Sequence, residues 1–273
     1  MAVPALVTTA RNARVSAARR LTRRAFRRTD RRFLVEGPQV VGEALAEPDA
    51  LVELFVTPDA ASRYADLLTR ATTSGVPVVT VTDAVMGELA QTVTPQGVVG
   101  VARFRDVSLD ELVATRPRLV AVLAQVRDPG NAGTILRTAD AAGADAVVYT
   151  DSSVDPYNPK STRASAGSVF HLPFATGVPV TDALTALRAA GIAVLAADAR
   201  ATIDLDTVDL SGPTAWVFGN EAWGLPVDVA AQADQLVRVP MHGHAESLNL
   251  ATAAAVCLYA SARGQRQPGG CRT

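Results

Sequence analysis

Cysteine and histidine are both scarce in this chain. Its 273 residues include two cysteines, Cys257 and Cys271, and three histidines. Cys257 falls in an apolar helical pattern and Cys271 in a tail rich in glycine and proline. Neither has a partner at zinc-site spacing, and two cysteines do not make a disulfide framework. A reducing cytoplasm is the expected compartment. His242 and His244 are two residues apart in a glycine loop, which is a poor ligand set, so no metal is expected. Long apolar runs are missing as well. None reaches the roughly 18 to 20 residues of a membrane span, so no membrane partner is expected. The arginine-rich beginning has no apolar stretch behind it, which argues against a secretory signal. Its shortage of acids leaves a transit peptide as the minor alternative.

The net charge of −1 conceals an uneven distribution. Arg11, Arg14, Arg19, Arg20, Arg23, Arg24, Arg27, Arg28, Arg31 and Arg32 fall in one stretch, with Asp30 its single acid. A block of one sign repels itself unless a polyanion neutralises it. Two readings stand: a disordered basic tail, or a nucleic-acid-binding segment.

Beyond that block, strands and helices alternate. Phe33–Glu36, Leu51–Val56, Val76–Val81 and Gly97–Phe104 read as strands, with helices predicted over Pro38–Ala46, Asp59–Thr73 and Asp83–Gln91. Asp59 and Asp83 are taken as helix caps. The pattern predicts a compact α/β domain with a mostly parallel sheet. Residues 106–118 read as a linker with room for one helical turn. A second α/β series begins with Leu119–Val126, apolar throughout as befits a strand buried on both faces. Helices are expected over Ala132–Ala142, Lys160–Phe170, Thr181–Ala190, Pro226–Ala233 and Leu248–Ala262. Strands are expected at Ala146–Tyr149, Ile192–Ala196, Thr214–Phe218 and Leu236–Val239. The division is therefore 1–32 basic segment, 33–105 first domain, 106–118 linker, 119–264 second domain and 265–273 disordered tail.

Three segments carry chemistry. In the first, Gln125 to Arg137, a buried strand ends in a Pro-Gly turn and a helix begins near Asn131. Its free N–H groups favour an anion. Asn131 either caps the helix or holds a ligand hydroxyl. Arg137 reaches back to the turn, serves an adjacent subunit, or makes a surface salt bridge. Strand, glycine turn and helix also imitate a dinucleotide-binding unit, but only Gly130 and Gly133 of the full glycine pattern are present. In the second segment, Trp216 to Pro226, a strand runs into Gly219, which allows close approach to the backbone, and Glu221 follows at its carboxyl edge. In the third, Val237 to Leu250, a strand is cut by Pro240, and a polar loop leads to Ser247 and Asn249 at a helix start. Ser247 is an N-cap or, with Asn249, a ligand grip.

Together these segments resemble the three motifs of the SpoU (TrmH-like) family of SPOUT RNA methyltransferases. The matching residues are Asn131-x-Gly133-x-x-x-Arg137, Gly219-x-Glu221-x-x-Gly224, and Val239-Pro240-Met241 followed by Ser247-Leu248-Asn249. The stretch Phe33-Leu34-Val35-Glu36-Gly37 is similar to the small, ribosomal-protein-like substrate-binding domain of many such enzymes. The third loop departs from many relatives at His242 and His244.

The resemblance implies an α/β chain whose C-terminal domain is a trefoil-knotted methyltransferase. It implies S-adenosylmethionine as cofactor, with Gly219, Val239, Leu248, Met241 and Ala196 around it, and a homodimer in which the C-terminal helix takes part. The expected reaction is methylation of a ribose 2′-hydroxyl in ribosomal RNA. Transfer RNA as substrate, or a catalytically inactive RNA-binding module, are the alternatives. The resemblance assigns Arg137 to activation of the hydroxyl and Asn131 to orientation. A guanidinium rarely gives up its proton, so base and charge stabiliser both stand for Arg137. Glu221 is expected to organise the site through loop backbone or Asn131, and Ser247 and Asn249 to hold the third loop. RNA contacts are expected at Arg19, Arg20, Arg23, Arg24, Arg27 and Arg28, with Lys160 and Arg163 either facing phosphates or lying on plain surface.

Overall fold

A computed structural model describes residues 6–266, and the chain divides into two compact units. The first comprises the described residues up to Arg105 together with Tyr157–Phe170. Its elements are α1 (Ala13–Arg20), α2 (Arg24–Asp30), β1 (Arg32–Glu36), α3 (Pro38–Ala46), β2 (Leu51–Val56), α4 (Pro58–Arg63), α5 (Ala65–Thr73), β3 (Val78–Thr80), α6 (Asp83–Leu89) and β4 (Val98–Arg103). The sheet order is β1-β4-β2-β3. Only β2 and β3 are parallel, and β4 runs antiparallel to both of its neighbours. The expected mostly parallel sheet is thus corrected. α6 stops at Leu89, and the irregular stretch 90–97 returns the chain between β1 and β2 with no helix to carry a parallel crossover. Gly100 makes room at the centre of this sheet, where a Cβ would lie 2.7 Å from Leu51 and 2.9 Å from Val35.

The basic segment is folded rather than a tail. Val15, Ala18 and Leu21 share a buried cluster with Leu34, Phe55, Met86 and Leu89, while the arginines occupy the remaining faces of α1 and α2. Arg27 is the exception, 3 % exposed, with its guanidinium donating to the Leu21 and Thr22 carbonyls. The single helix expected over 59–73 is two, broken at Tyr64. The caps are Thr57 and Thr82, each one position or two before the aspartates named above. Tyr157–Phe170 joins this unit through aromatic packing: Tyr157 stacks on Phe104 at 3.7 Å and meets Phe33 at 4.7 Å.

The second unit comprises Asp106–Pro156 and the described residues from His171 onward. It holds α7 (Leu109–Ala114), β5 (Leu119–Leu123), α8 (Pro129–Ala142), β6 (Ala146–Thr150), β7 (Phe174–Val178), α10 (Val180–Ala189), β8 (Ala193–Ala197), β9 (Ile203–Asp204), β10 (Thr214–Phe218), α11 (Val227–Ala230), β11 (Gln235–Arg238) and α12 (Leu250–Arg266). The intervening α9 (Pro159–Ser165) packs with the first unit. All seven strands are parallel, in the order β7-β6-β5-β10-β8-β11-β9. β5, β6 and β10 are buried at every position, as strands covered on both faces must be. The stretch read as a linker carries α7, whose Ser108–Glu111 capping box starts it and whose Leu112 enters the core beside Val120 and Val194. β7 and β9 have no counterpart in the sequence reading. Each is short, and β7 contains Thr176 and Gly177. α12 runs to Arg266; the expected disordered tail beyond it, Cys271 included, lies outside the described residues. Among the described residues, no helix is long and apolar enough to cross a membrane.

α12 packs along α8 and against β10, where the buried Trp216 indole donates to Ser261 Oγ at 2.8 Å. Cys257 is in the same interface, and burial pushes its thiol up to about 12. We therefore expect Cys257 to resist iodoacetamide at pH 8 until the protein is denatured. Modification of Cys257 under native conditions, read by peptide mass, would contradict this packing.

Candidate active site

Chain order reverses at the centre of the seven-stranded sheet. From β5 the chain goes outward to β6 and β7, then crosses to β8 on the other side, and β10 later inserts between β5 and β8. Ligands of open parallel sheets bind at such a switch, outside the carboxyl ends of the strands. The loops after β5 and β10 meet there.

The β5 loop is held in a costly conformation. Gln125 has φ +62°, in the left-handed region. Its N–H reaches Thr150 Oγ1 at 3.3 Å, and its carbonyl accepts from Asn220 Nδ2 at 3.0 Å. Asp128 then caps α8 by accepting the Asn131 N–H at 2.8 Å, and Pro129 fills the first helical position. The cap is therefore Asp128, and Asn131 stands inside the first turn. The β10 loop is a tight hairpin, closed by reciprocal backbone bonds between Asn220 and Gly224, both 2.9 Å. At Gly219 a Cβ would lie 2.6 Å from the Gly224 carbonyl carbon, so only glycine fits.

Three loops are joined by side chains. Glu221 accepts from the Asp128 N–H at 3.1 Å, the Arg127 N–H at 3.4 Å and Asn131 Nδ2 at 3.1 Å. A carboxylate only accepts, so Asn131 must turn its amide nitrogen to Glu221 and its oxygen away. That oxygen accepts from Asn249 Nδ2 at 3.1 Å. Asn249 Oδ1 in turn accepts the Ala251 and Thr252 N–H groups at the start of α12. The cap considered for Ser247 thus belongs to Asn249. Ser247 lies on the rim of a cavity instead.

That cavity, about 820 Å³, opens at the ends of β10, β8 and β11, three adjacent strands. Gly219, Val239, Met241 and Leu248 line it. Ala196 does not: it is 1 % exposed, and Ala197 one position on takes its place. Alternation along β8 turns the two residues to opposite faces. Asp198 and Arg200 also line the cavity and were not foreseen. Arg200 bonds both oxygens of Asp198, at 3.1 and 2.9 Å, and holds that carboxyl below its usual range. An acid directly after a strand's carboxyl end was the available signal. His242 and His244 are exposed, and among the described residues no group of three or more metal-ligating side chains forms.

Arg137 is not brought into this network. Six residues beyond Asn131, it lies about 240° around the helix axis, exposed and, among the described residues, without an ion pair or hydrogen bond. Arg19, Arg20, Arg23, Arg24 and Arg28 are exposed, with Arg19 paired to Glu88 and Arg20 lying 4.2 Å over the Phe26 ring. Buried Arg27 leaves that set. Arg163 pairs with Glu36 at 3.5 Å, and Lys160, at the start of α9, is exposed.

The sheet, its switch point and the cavity define an α/β enzyme that holds an organic ligand at the carboxyl edge of a parallel sheet. The chain belongs to the SpoU rRNA Methylase family, which it matches over residues 118–259; residues 12–100 match the MRM3-like substrate binding domain. It is 33 % identical, over 93 % of this chain and 97 % of the relative, to the 23S rRNA (guanosine(2553)-2′-O)-methyltransferase RlmP of Bacillus subtilis. Among solved structures, an AdoMet-bound rRNA methyltransferase from Sinorhizobium meliloti superimposes with a TM-score of 0.84. It shares 34 % identity over 95 % of this chain and 97 % of that one. The SpoU methyltransferase AviRb from Streptomyces viridochromogenes, in complex with AdoMet, gives 0.79 at 32 % identity, covering 92 % and 98 %.

Proposed function

We propose that this protein transfers a methyl group from S-adenosylmethionine to a ribose 2′-hydroxyl of ribosomal RNA. The observation that carries the reading is the Glu221–Asn131–Asn249 network beside the cavity, in a chain of the SpoU family.

The cavity fits the cofactor. Its volume is within the roughly 300–1,000 Å³ of small-molecule sites, and its walls mix apolar side chains with loop backbone. Gly219, Val239 and Leu248 would hold the cofactor mainly by backbone, with Met241 beside it and Ala197 replacing Ala196. The bound cofactor supplies an electrophilic methyl group on a sulfonium. The chain's task is to place the ribose oxygen in line with it, and positioning of this kind is worth up to about 7–11 kcal/mol. Glu221 fixes Asn131, which orients the ribose, and Asn249 ties that arrangement to α12. Ser247 acts on the substrate side of the rim. Arg137 stabilises charge on the ribose oxygen or its adjacent phosphate, because a guanidinium keeps its proton and presents a rigid donor fork.

Arg137 stands apart from its own network, which supports a homodimer in which it serves the partner's site. The exposed Val256 and Tyr259 on α12 suit such an interface. A trefoil knot is the topology proposed for the second unit, in keeping with strands β10 and β11, which insert between strands formed earlier in the chain. The working compartment is the cytoplasm, where bacterial ribosomal RNA is made.

The exposed arginines of α1 and α2, with Lys160 and Arg163, are proposed to meet RNA phosphates. Changing Arg19, Arg20, Arg23, Arg24 and Arg28 to glutamine should weaken RNA binding and flatten its salt dependence. Each lost phosphate contact should reduce the log–log slope by about 0.7–0.9. An unchanged slope places the RNA surface elsewhere. The function itself is tested by deleting the gene and mapping 2′-O-methylation by resistance to alkaline cleavage. One ribosomal RNA position should become cleavable. A lost mark in transfer RNA, or none, would overturn the assignment.

A further inference from the structure

Trp223 is a large apolar side chain left in water at the active site, 51 % exposed. It sits in the hairpin after β10, two residues beyond Glu221, and contributes to the cavity rim. The Arg127 guanidinium lies 5.1 Å from its ring centroid. Arg127 comes from the other loop at the switch point, and its backbone N–H is bound by Glu221. Among the described residues its guanidinium makes no ion pair, and it does not line the cavity. The indole and the guanidinium therefore form one exposed step on the mouth of the site, joined to the network that holds Asn131.

From this geometry we infer that Trp223 and Arg127 form a stacking platform for an unpaired base of the RNA substrate, at or next to the methylated nucleotide. The inference rests on the ribose methyltransferase reading and adds to it the group that holds the base. Three physical points favour a nucleic-acid base. Unpaired RNA bases are recognised by stacking on aromatic rings and on guanidinium planes, and both are present side by side. An unpaired guanidinium at the mouth attracts the phosphates flanking that base. The same positive charge offers nothing to the sulfonium end of the cofactor, so the Arg127 side of the platform suits RNA and not the cavity's ligand.

The protein contains only two tryptophans, and Trp216 is fully buried, so emission that responds to an outside ligand comes from Trp223. The test titrates the full-length protein with transcribed 23S rRNA, then with S-adenosylmethionine alone, in wild type, Trp223→Phe, Trp223→Ala and Arg127→Gln. RNA should quench wild-type emission and leave Trp223→Phe unchanged. Trp223→Ala should raise the Kd for RNA about tenfold, read by filter binding and within the range of a base–aromatic stack, with cofactor Kd unchanged. Trp223→Phe should keep most of the affinity, since a ring remains. Arg127→Gln should weaken RNA binding less at high salt than at low salt. Quenching by the cofactor alone, with weaker cofactor binding in Trp223→Ala, would overturn the proposal in favour of an adenine contact. Equal RNA affinity in wild type and Trp223→Ala would overturn it outright. The binding readouts need no methyl transfer, so they stand apart from any failure of the reaction itself.

Discussion

Arg137→Ala is expected to lower kcat by about 10²–10³-fold or more while leaving S-adenosylmethionine binding within about twofold of wild type. The basis is placement. Arg137 is an exposed cation on α8, unpaired among the described residues and away from the cavity lining, so its loss removes neither a core contact nor a cofactor contact. Arg137→Lys should restore little, because an ammonium lacks the planar fork. If Arg137 serves the partner's site, mixing Arg137→Ala with a cofactor-site variant should regain activity. After free exchange half the dimers are mixed and each keeps one of its two sites, giving about a quarter of the wild-type rate. Loss of cofactor binding in Arg137→Ala, read by calorimetry, would show that the residue has been assigned to the wrong task.

Gly219→Ala is expected to have the largest effect on the cofactor site. The added methyl would lie 2.6 Å from the Gly224 carbonyl carbon, 2.7 Å from its oxygen and 2.7 Å from the Leu225 nitrogen. All three are backbone atoms of the closed hairpin, which cannot move aside as a side-chain tip would. Overpacking of this kind costs about 1–3 kcal/mol. Because the strain falls on the loop that carries Asn220, Glu221 and Trp223, cofactor affinity should fall by about 5- to 150-fold. The control is Gly243, in the loop after β11, where an added Cβ meets nothing within 4 Å. Gly243→Ala should bind cofactor normally. Normal binding by Gly219→Ala would mean that the hairpin is not part of the site.

Local signals made much of this legible in the sequence. β5, β6 and β10 are apolar throughout because the sheet is covered on both faces, and that pattern is visible without a structure. Gly219, Glu221, Asn131 and Asn249 stand at strand ends and helix starts, but only the resemblance of the three segments to the SpoU motifs gathers them into one site. Long-range pairing was not legible. Nothing local shows that β4 returns between β1 and β2, or that Tyr157 leaves its sequence neighbours to stack on Phe104. Arg27 looks like its neighbours in the basic block, and only its position on α2 buries it. Asp128, the true cap of α8, is marked by the following Pro129, whereas Asn131 is a cap-type residue that stands inside the first turn. Trp223 and Arg127 sit within the motif segments but approach each other only when β10 pairs with β5.

The most direct measurement is transfer of radiolabelled methyl from S-adenosylmethionine by the purified protein to separated ribosomal and transfer RNA, followed by digestion to nucleosides. Label is expected in a single 2′-O-methylnucleoside from ribosomal RNA, and is expected to be lost in Arg137→Ala. Label on a base, or on transfer RNA alone, would contradict it.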